Sequence, residues 1–294
     1  MSIAADPNAD NVRGAVFMMA SMFFFVVNDA LMKSLSGEVP LFQAIFVRGL
    51  FATIFVYLLA RARGAARLSR LARADRGTAV FRAGAEVGAT ACFLTALFAM
   101  PIADATAILQ STPIALTMIG ALVLGERVGW RRWTAVLVGF AGVMLIVRPT
   151  GEGVDRAALF ALAAVCFICL RDLATKRLTP ETPSLIITLI TAVAITVLGG
   201  LVTLTGEWSP MSGRTVGVLA LSSAFLCLGY LFSVMTMRVG EMAFVSPFRY
   251  TVLLWALLLG FVAFGETPDA LACLGAGLVV AAGLYTFFRE RTLR

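Results

Sequence analysis

Asp29 and Lys33, Arg82 and Glu86, and Asp172 and Lys176 each stand four residues apart. On a helix this spacing puts both side chains on one face, where a carboxylate and a cation neutralise each other. All six lie within or at the ends of long apolar stretches. A charge in such surroundings costs at least about 2.5–3.5 kcal/mol near the centre of a bilayer, so few survive without a purpose. Arg249 is the sharpest case. It has no acid three or four residues away, and its guanidinium is always charged. It must find a carboxylate on another helix, Asp172 among them, or a backbone carbonyl, or an anionic group of a bound molecule. Arg48 reads as structural, holding its helix to a neighbouring carbonyl. The candidate residues for a substrate cavity or gate are Asn28, Asp29, Glu86, Gln110, Arg171, Asp172, Arg249 and Tyr250. They carry both signs of charge with amide and hydroxyl groups, a mixture suited to a zwitterionic small molecule. Asp29, Glu86 and Asp172 are the candidate proton carriers.

Other chemistries find less support. Histidine is absent, which removes the commonest general base and metal ligand. The five cysteines all sit in apolar runs, where a free thiol behaves as a small hydrophobe. Cys166 and Cys169 share a helical face but have no second pair to complete a metal site. No metal and no cofactor are expected. There is no GxxxxGK[ST] phosphate loop. The arginines between Arg61 and Gly77 have no interleaved aromatics, so nucleic acid is not an expected partner. They read as a topology determinant instead. A membrane-embedded lipid or acyl transferase is the alternative from the enzyme class. It is disfavoured by the missing histidine and metal spacing, and the chain reads as a non-enzyme.

The elements that must hold these residues are helices in a membrane. The chain has 294 residues, 60% hydrophobic and 14% charged, against about a quarter charged in a soluble domain. A spanning helix takes about 20 apolar residues, and an outer-membrane barrel would show short alternating segments instead. Ten spans are expected near 14–35, 41–60, 79–99, 102–124, 132–148, 156–176, 184–205, 215–236, 242–264 and 270–288. Turn residues such as Gly37 with Pro40, Pro180 with Pro183, and Pro268 punctuate them. Residues 1–12 lack the positive segment of a cleavable leader, so the first span is expected to be retained. With both termini on one side, that side receives sixteen Lys and Arg and the other four. Both termini are therefore expected to be cytoplasmic.

The chain also resembles itself. Asn28-Asp-Ala-Leu-Met-Lys33 through Pro40 matches Arg171-Asp-Leu-Ala-Thr-Lys176 through Pro183 at an offset of 143, with Asp, Lys, Leu, Glu and Pro coinciding. Gly125-Glu126 matches Gly265-Glu266 at an offset of 140. The reading is two five-helix halves, 1–150 and 151–294. Five is odd, so the second half enters the membrane from the opposite side, an inverted-topology repeat. Such halves exchange inward-open and outward-open states around a central site.

At these residues, and at Pro247-Phe-Arg249-Tyr250-Thr251, the chain resembles the drug/metabolite transporter superfamily. More narrowly it resembles the EamA-type ten-helix members, and among those the YddG-type amino-acid exporters. The resemblance covers nearly the whole chain. It implies a basket of ten helices, with spans 1, 3, 4, 6, 8 and 9 lining a cavity and spans 5 and 10 outside. The implied activity is secondary export of small polar metabolites, amino acids first, by alternating access across the bacterial inner membrane. Its partners are then a small-molecule substrate and the lipid bilayer, with no oligomer required.

Overall fold

The computed structural model describes residues 7–63, 71–122, 129–147, 155–179, 182–206, 208–239 and 242–292. Among them every regular element is helical. Long apolar runs leave no alternative in lipid, where each backbone N–H and C=O must be satisfied within the segment. The helices are α1 (Pro7–Lys33), α2 (Leu41–Ala62), α3 (Arg76–Ala99), α4 (Ile102–Leu109), α5 (Thr112–Leu122), α6 (Trp130–Val147), α7 (Arg156–Lys176), α8 (Ser184–Leu204), α9 (Gly213–Val239), α10 (Met242–Val245), α11 (Thr251–Phe264) and α12 (Ala270–Thr292). Among the described residues, eight stretches are long and apolar enough to cross a membrane, and two shorter apolar helices lie in α6 and α12. Leu137, Phe140, Leu201, Leu254, Phe261 and Val262 are exposed on the outside of the bundle, as a lipid-facing surface requires.

Local sequence sets the helix ends. Prolines 40, 101 and 183 stand immediately before α2, α4 and α8, where a missing N–H costs nothing. Asp155 accepts a hydrogen bond from the Ala157 N–H at 3.1 Å and so caps α7. Gly265 closes α11 in the left-handed conformation, φ 66°. This lets the Glu266 N–H reach the Gly260 carbonyl at 3.0 Å.

Two expected spans are not continuous helices. The fourth breaks at Gln110-Ser111, between α4 and α5. Pro113 has no N–H to give the Leu109 carbonyl, and the Thr112 hydroxyl takes that carbonyl at 2.6 Å. Ser111 bonds the Ile108 carbonyl, also at 2.6 Å. The ninth span breaks around Pro247, where a 3-10 turn over Ser246–Tyr250 separates α10 from α11. There Thr251 bonds the Phe248 carbonyl at 2.7 Å. Ser111 with Ile108 and Thr251 with Phe248 stand 140 residues apart.

The helices pack in antiphase along the chain. α1 lies on α9, α2 on α8, α3 on α7, α6 on α12, and α4 against α11. Small residues permit the closest approaches. A Cβ on Gly142 of α6 would sit 2.7 Å from the Gly275 carbonyl of α12, and one on Gly275 would sit 2.6 Å from the Gly142 carbonyl. Between α2 and α8, the hydroxyls of Thr53 and Thr196 share a hydrogen bond at 3.0 Å. Gly88 lies under the Phe167 ring as a close-packing glycine, whereas Gly84 faces open space. A separate small core forms at the start of α3, where Leu71 and Ala79 meet Ile186 and Ile187 of α8. The expected Gly125 and Glu126 fall outside the described residues.

Candidate functional site

Two polar networks lie within the bundle. The first joins α1, α2 and α9. The Asn28 side-chain carbonyl accepts from Arg48 Nη1 at 3.2 Å and from Ser222 Oγ at 2.8 Å. Its amide nitrogen donates to Asp29 Oδ1 at 2.9 Å. Ser223 donates to the Arg48 backbone carbonyl at 3.3 Å. Asn28 and Arg48 are buried, so these bonds offset what burial of an amide and a guanidinium costs. The neighbouring carbonyl expected for Arg48 is thus that of the Asn28 side-chain amide.

The second network joins α3, α7 and α8. Arg171 Nη1 sits 3.2–3.3 Å from both Glu86 oxygens, and Arg171 Nε and Nη2 each lie 2.8 Å from Asp172 Oδ1. Arg82 donates to Thr175 at 2.9 Å and to Thr191 at 2.8 Å, with Glu86 at 4.0 Å. Two cations and two carboxylates therefore close on one another.

The structure redistributes the expected pairs. Arg82 and Glu86 meet as their spacing requires, at the limit of an ion pair. Asp29 does not pair with Lys33, because Asn28 holds Asp29, and Lys33 reaches across the bundle to Glu266 at 2.5 Å. Lys33 also donates to the Met100 carbonyl at 2.5 Å and lies 5.5 Å from the centre of the Phe264 ring. Glu266 accepts in turn from the Ile102 N–H at 2.9 Å. This knot ties the ends of α1, α3 and α11 to the start of α4. Asp172 does not pair with Lys176 either. Its adjacent Arg171 is nearer, and Lys176 is exposed.

Three candidates stand apart from both networks. Gln110 is half-buried at the break between α4 and α5. Arg249 is exposed on the 3-10 turn, and no described carboxylate pairs with it, Asp172 included. The Tyr250 hydroxyl lies against Gly283 of α12.

Tyr230 was not among the expected residues. It sits in the middle of α9 and exposes 47% of its surface. Its phenol lies within electrostatic reach of Glu86, Arg171, Arg82 and Arg48, members of both networks. The Phe25 ring meets it edge-on at 5.2 Å. The signal in the sequence was its place two turns beyond Ser223 on one helical face. Among the described residues, two buried polar atoms lack a partner: Thr106 Oγ1 in α4 and Trp255 Nε1 in α11.

Comparison with known proteins agrees with this architecture. Residues 12–148 match the EamA-like transporter family. That match takes in α1 to α6 and stops short of the second half of the chain. A riboflavin transporter of Rhizobium johnstonii is 28% identical over 98% of this chain and 95% of its own length. A pseudopaline exporter of Pseudomonas aeruginosa is 27% identical over 92% of this chain and 94% of its own. An S-adenosylmethionine uptake transporter of Rickettsia felis is 25% identical over 95% and 93%. One solved structure, 20% identical, superposes with a TM-score of 0.65 over 97% of this chain and 98% of that one. The relatives are thus named for transport, not for catalysis. The named substrates differ widely, as do the directions.

Proposed function

We propose that this protein exports small polar metabolites, amino acids first, by alternating access between two inverted halves, 1–150 and 151–294, with both termini cytoplasmic. The observation that carries the reading is the pair of charge-balanced networks within the bundle, with the Tyr230 phenol near members of both. Their members fall at the repeat offset. Asp29 and Asp172 are 143 residues apart, and so are Arg48 and Thr191. The hydrogen-bonded Thr53 and Thr196 are also 143 apart, as expected where an in-plane two-fold axis passes between α2 and α8. The 140-residue spacing of the two helix breaks supports the same axis. Exchanging each span for the one five places on turns the α1–α9 contact into the α7–α3 contact and leaves α2–α8 and α6–α12 unchanged.

In this reading the Lys33–Glu266 knot closes the periplasmic end, and the cavity opens to the cytoplasm. An exporter loads its substrate in that state. No nucleotide-binding motif is present, so a substrate or ion gradient drives the cycle. Relatives named for uptake and for export both fit, since rocking halves work in either direction.

The test is uptake of a radiolabelled amino-acid panel into proteoliposomes, against protein-free liposomes and Arg249→Ala protein. Saturable uptake of neutral amino acids supports the reading. Because Arg249 stands outside both networks, the Arg249→Ala protein is expected to retain it. No uptake of any amino acid by folded protein overturns the amino-acid part. A panel of riboflavin and S-adenosylmethionine then tests transport itself.

A further inference from the structure

The two networks differ in one respect that separates a binding site from a structural tie. In the Glu86 network the charges touch, at 3.2 Å and 2.8 Å. In the Asn28 network they do not. No ion pair joins Asp29 to Arg48. The Asn28 amide stands between them, its oxygen on the guanidinium and its nitrogen on the carboxylate. Opposite charges in an apolar interior attract strongly, yet here a side chain fixed by Ser222 keeps them one amide apart. Asp29 keeps Oδ2, and Arg48 keeps Nε and Nη2, without a partner among the described residues.

Resting on the transport reading above, we infer that Asp29 and Arg48 read the two charges of a zwitterionic head group. Asp29 Oδ2 takes the ammonium and Arg48 takes the carboxylate, while Asn28 sets the distance between them. The rest of the substrate runs along α9 towards Tyr230. Tyr230 lies seven residues beyond Ser223, roughly 10 Å along the helix axis. Phe25 lies three residues before Asn28 on the same face of α1. The two rings meet at 5.2 Å, and the Tyr230 hydroxyl has no hydrogen-bond partner among the described residues. The head group is thus held at the Asn28 level, and a long or ring-bearing side chain lies at the Tyr230 level. The Glu86 network, already closed on itself, positions α3 against α7 and does not contact the head group.

The experiment measures binding to purified detergent-solubilised protein with three probes that share one ring: L-phenylalanine, phenethylamine and 3-phenylpropanoate. The zwitterion is expected to bind at least about tenfold more tightly than either single-charge analogue, because each lacks one charge-assisted bond. In Asp29→Asn protein, phenylalanine and phenylpropanoate are expected to bind alike, since the ammonium no longer counts. Tyr230→Ala is expected to weaken phenylalanine more than alanine. Equal binding of all three probes by the wild type overturns the inference, with no variant needed. So does an unchanged ranking in Asp29→Asn, or no binding of any probe by folded protein. If proteoliposomes still carry another solute in that last case, only this subsite falls. If they carry nothing, the transport reading falls with it.

Discussion

Glu86 is the residue on which the second network depends. It faces Arg171 directly and Arg82 at 4.0 Å, and it is buried. Replacing it with Gln leaves Arg171 with Asp172 alone, and leaves Arg82 with the Thr175 and Thr191 hydroxyls and no carboxylate among the described residues. Loss of one partner from a buried pair costs about 3–5 kcal/mol, and the partial exposure of Arg171 reduces this to about 1–3 kcal/mol. Glu86→Gln should therefore lower the melting temperature in detergent, and Arg82→Gln together with it should recover part of the loss. Thr106 behaves in the opposite sense. Its hydroxyl is buried without a partner, a cost of about 1–3 kcal/mol. Thr106→Val should raise thermal stability in this state, and a fall in stability would show that the hydroxyl is satisfied in solution. Asp75 supplies a pH signature. It lies on the 3-10 turn ahead of the apolar run of α3, where Thr182 and Thr179 hydroxyls and the Thr179 N–H donate to it. These donors, Thr182 foremost, hold its carboxyl below the usual carboxylate range. A depressed pKa means the clasp contributes fully above the unfolded carboxylate value and is lost as pH falls through the folded one. Wild-type stability should drop on acidification more steeply than that of Asp75→Asn. Much of this scale was legible in the sequence, because charges in apolar runs announce themselves. Their partners were less so. Helical spacing finds Arg82–Glu86 but not Lys33–Glu266, whose members meet only through tertiary packing. Nor does it find Asn28 acting as a spacer.

At the scale of elements, the prolines say where a span gives way. Pro113 and Pro247 each remove a donor from the middle of an apolar run. A single span was nevertheless the natural reading of each, since hydropathy does not register a missing N–H. Hydroxyls at Ser111, Thr112 and Thr251 take the carbonyls around the breaks. Pro113→Ala restores a donor for Leu109 and should straighten α4 into α5. If the break serves as a hinge, transport should slow while the melting temperature rises, and an unchanged rate would make the break a packing feature only. The α6–α12 pair depends on reciprocal glycines. Gly142→Leu would place carbon within 2.7 Å of the Gly275 carbonyl, and backbone cannot yield as a side-chain tip does. The expected result is misfolded or poorly expressed protein, with Gly84→Leu, facing open space, as the tolerated control.

For the whole molecule, the proposed cycle makes the Lys33–Glu266 knot the closure of one end. Lys33→Glu breaks it by charge repulsion, and the Lys33→Glu/Glu266→Lys exchange restores the attraction. A cysteine at Ser222, modified from the α1-terminal end by a membrane-impermeant thiol reagent, should react faster in the single variant and return towards the wild-type rate in the exchange. Equal rates in all three would remove the knot as a closure. A transport rate indifferent to imposed pH gradients in either direction would remove Asp29, Glu86 and Asp172 as proton carriers. The repeat gave the sequence its reach at this scale, because order and offset survive where identity does not. The partnering of the helices was beyond it. In the fold, α1, α2, α3 and α6 each find their main neighbour in the later part of the chain: α9, α8, α7 and α12. This has a consequence for synthesis. A ribosome that has delivered only the first half leaves those helices in the bilayer with their principal contact faces unmatched, so assembly must wait for translation to finish. Nascent chains stopped near residue 150 should be prey for membrane proteases, and supplying residues 151–294 as a separate polypeptide should rescue them.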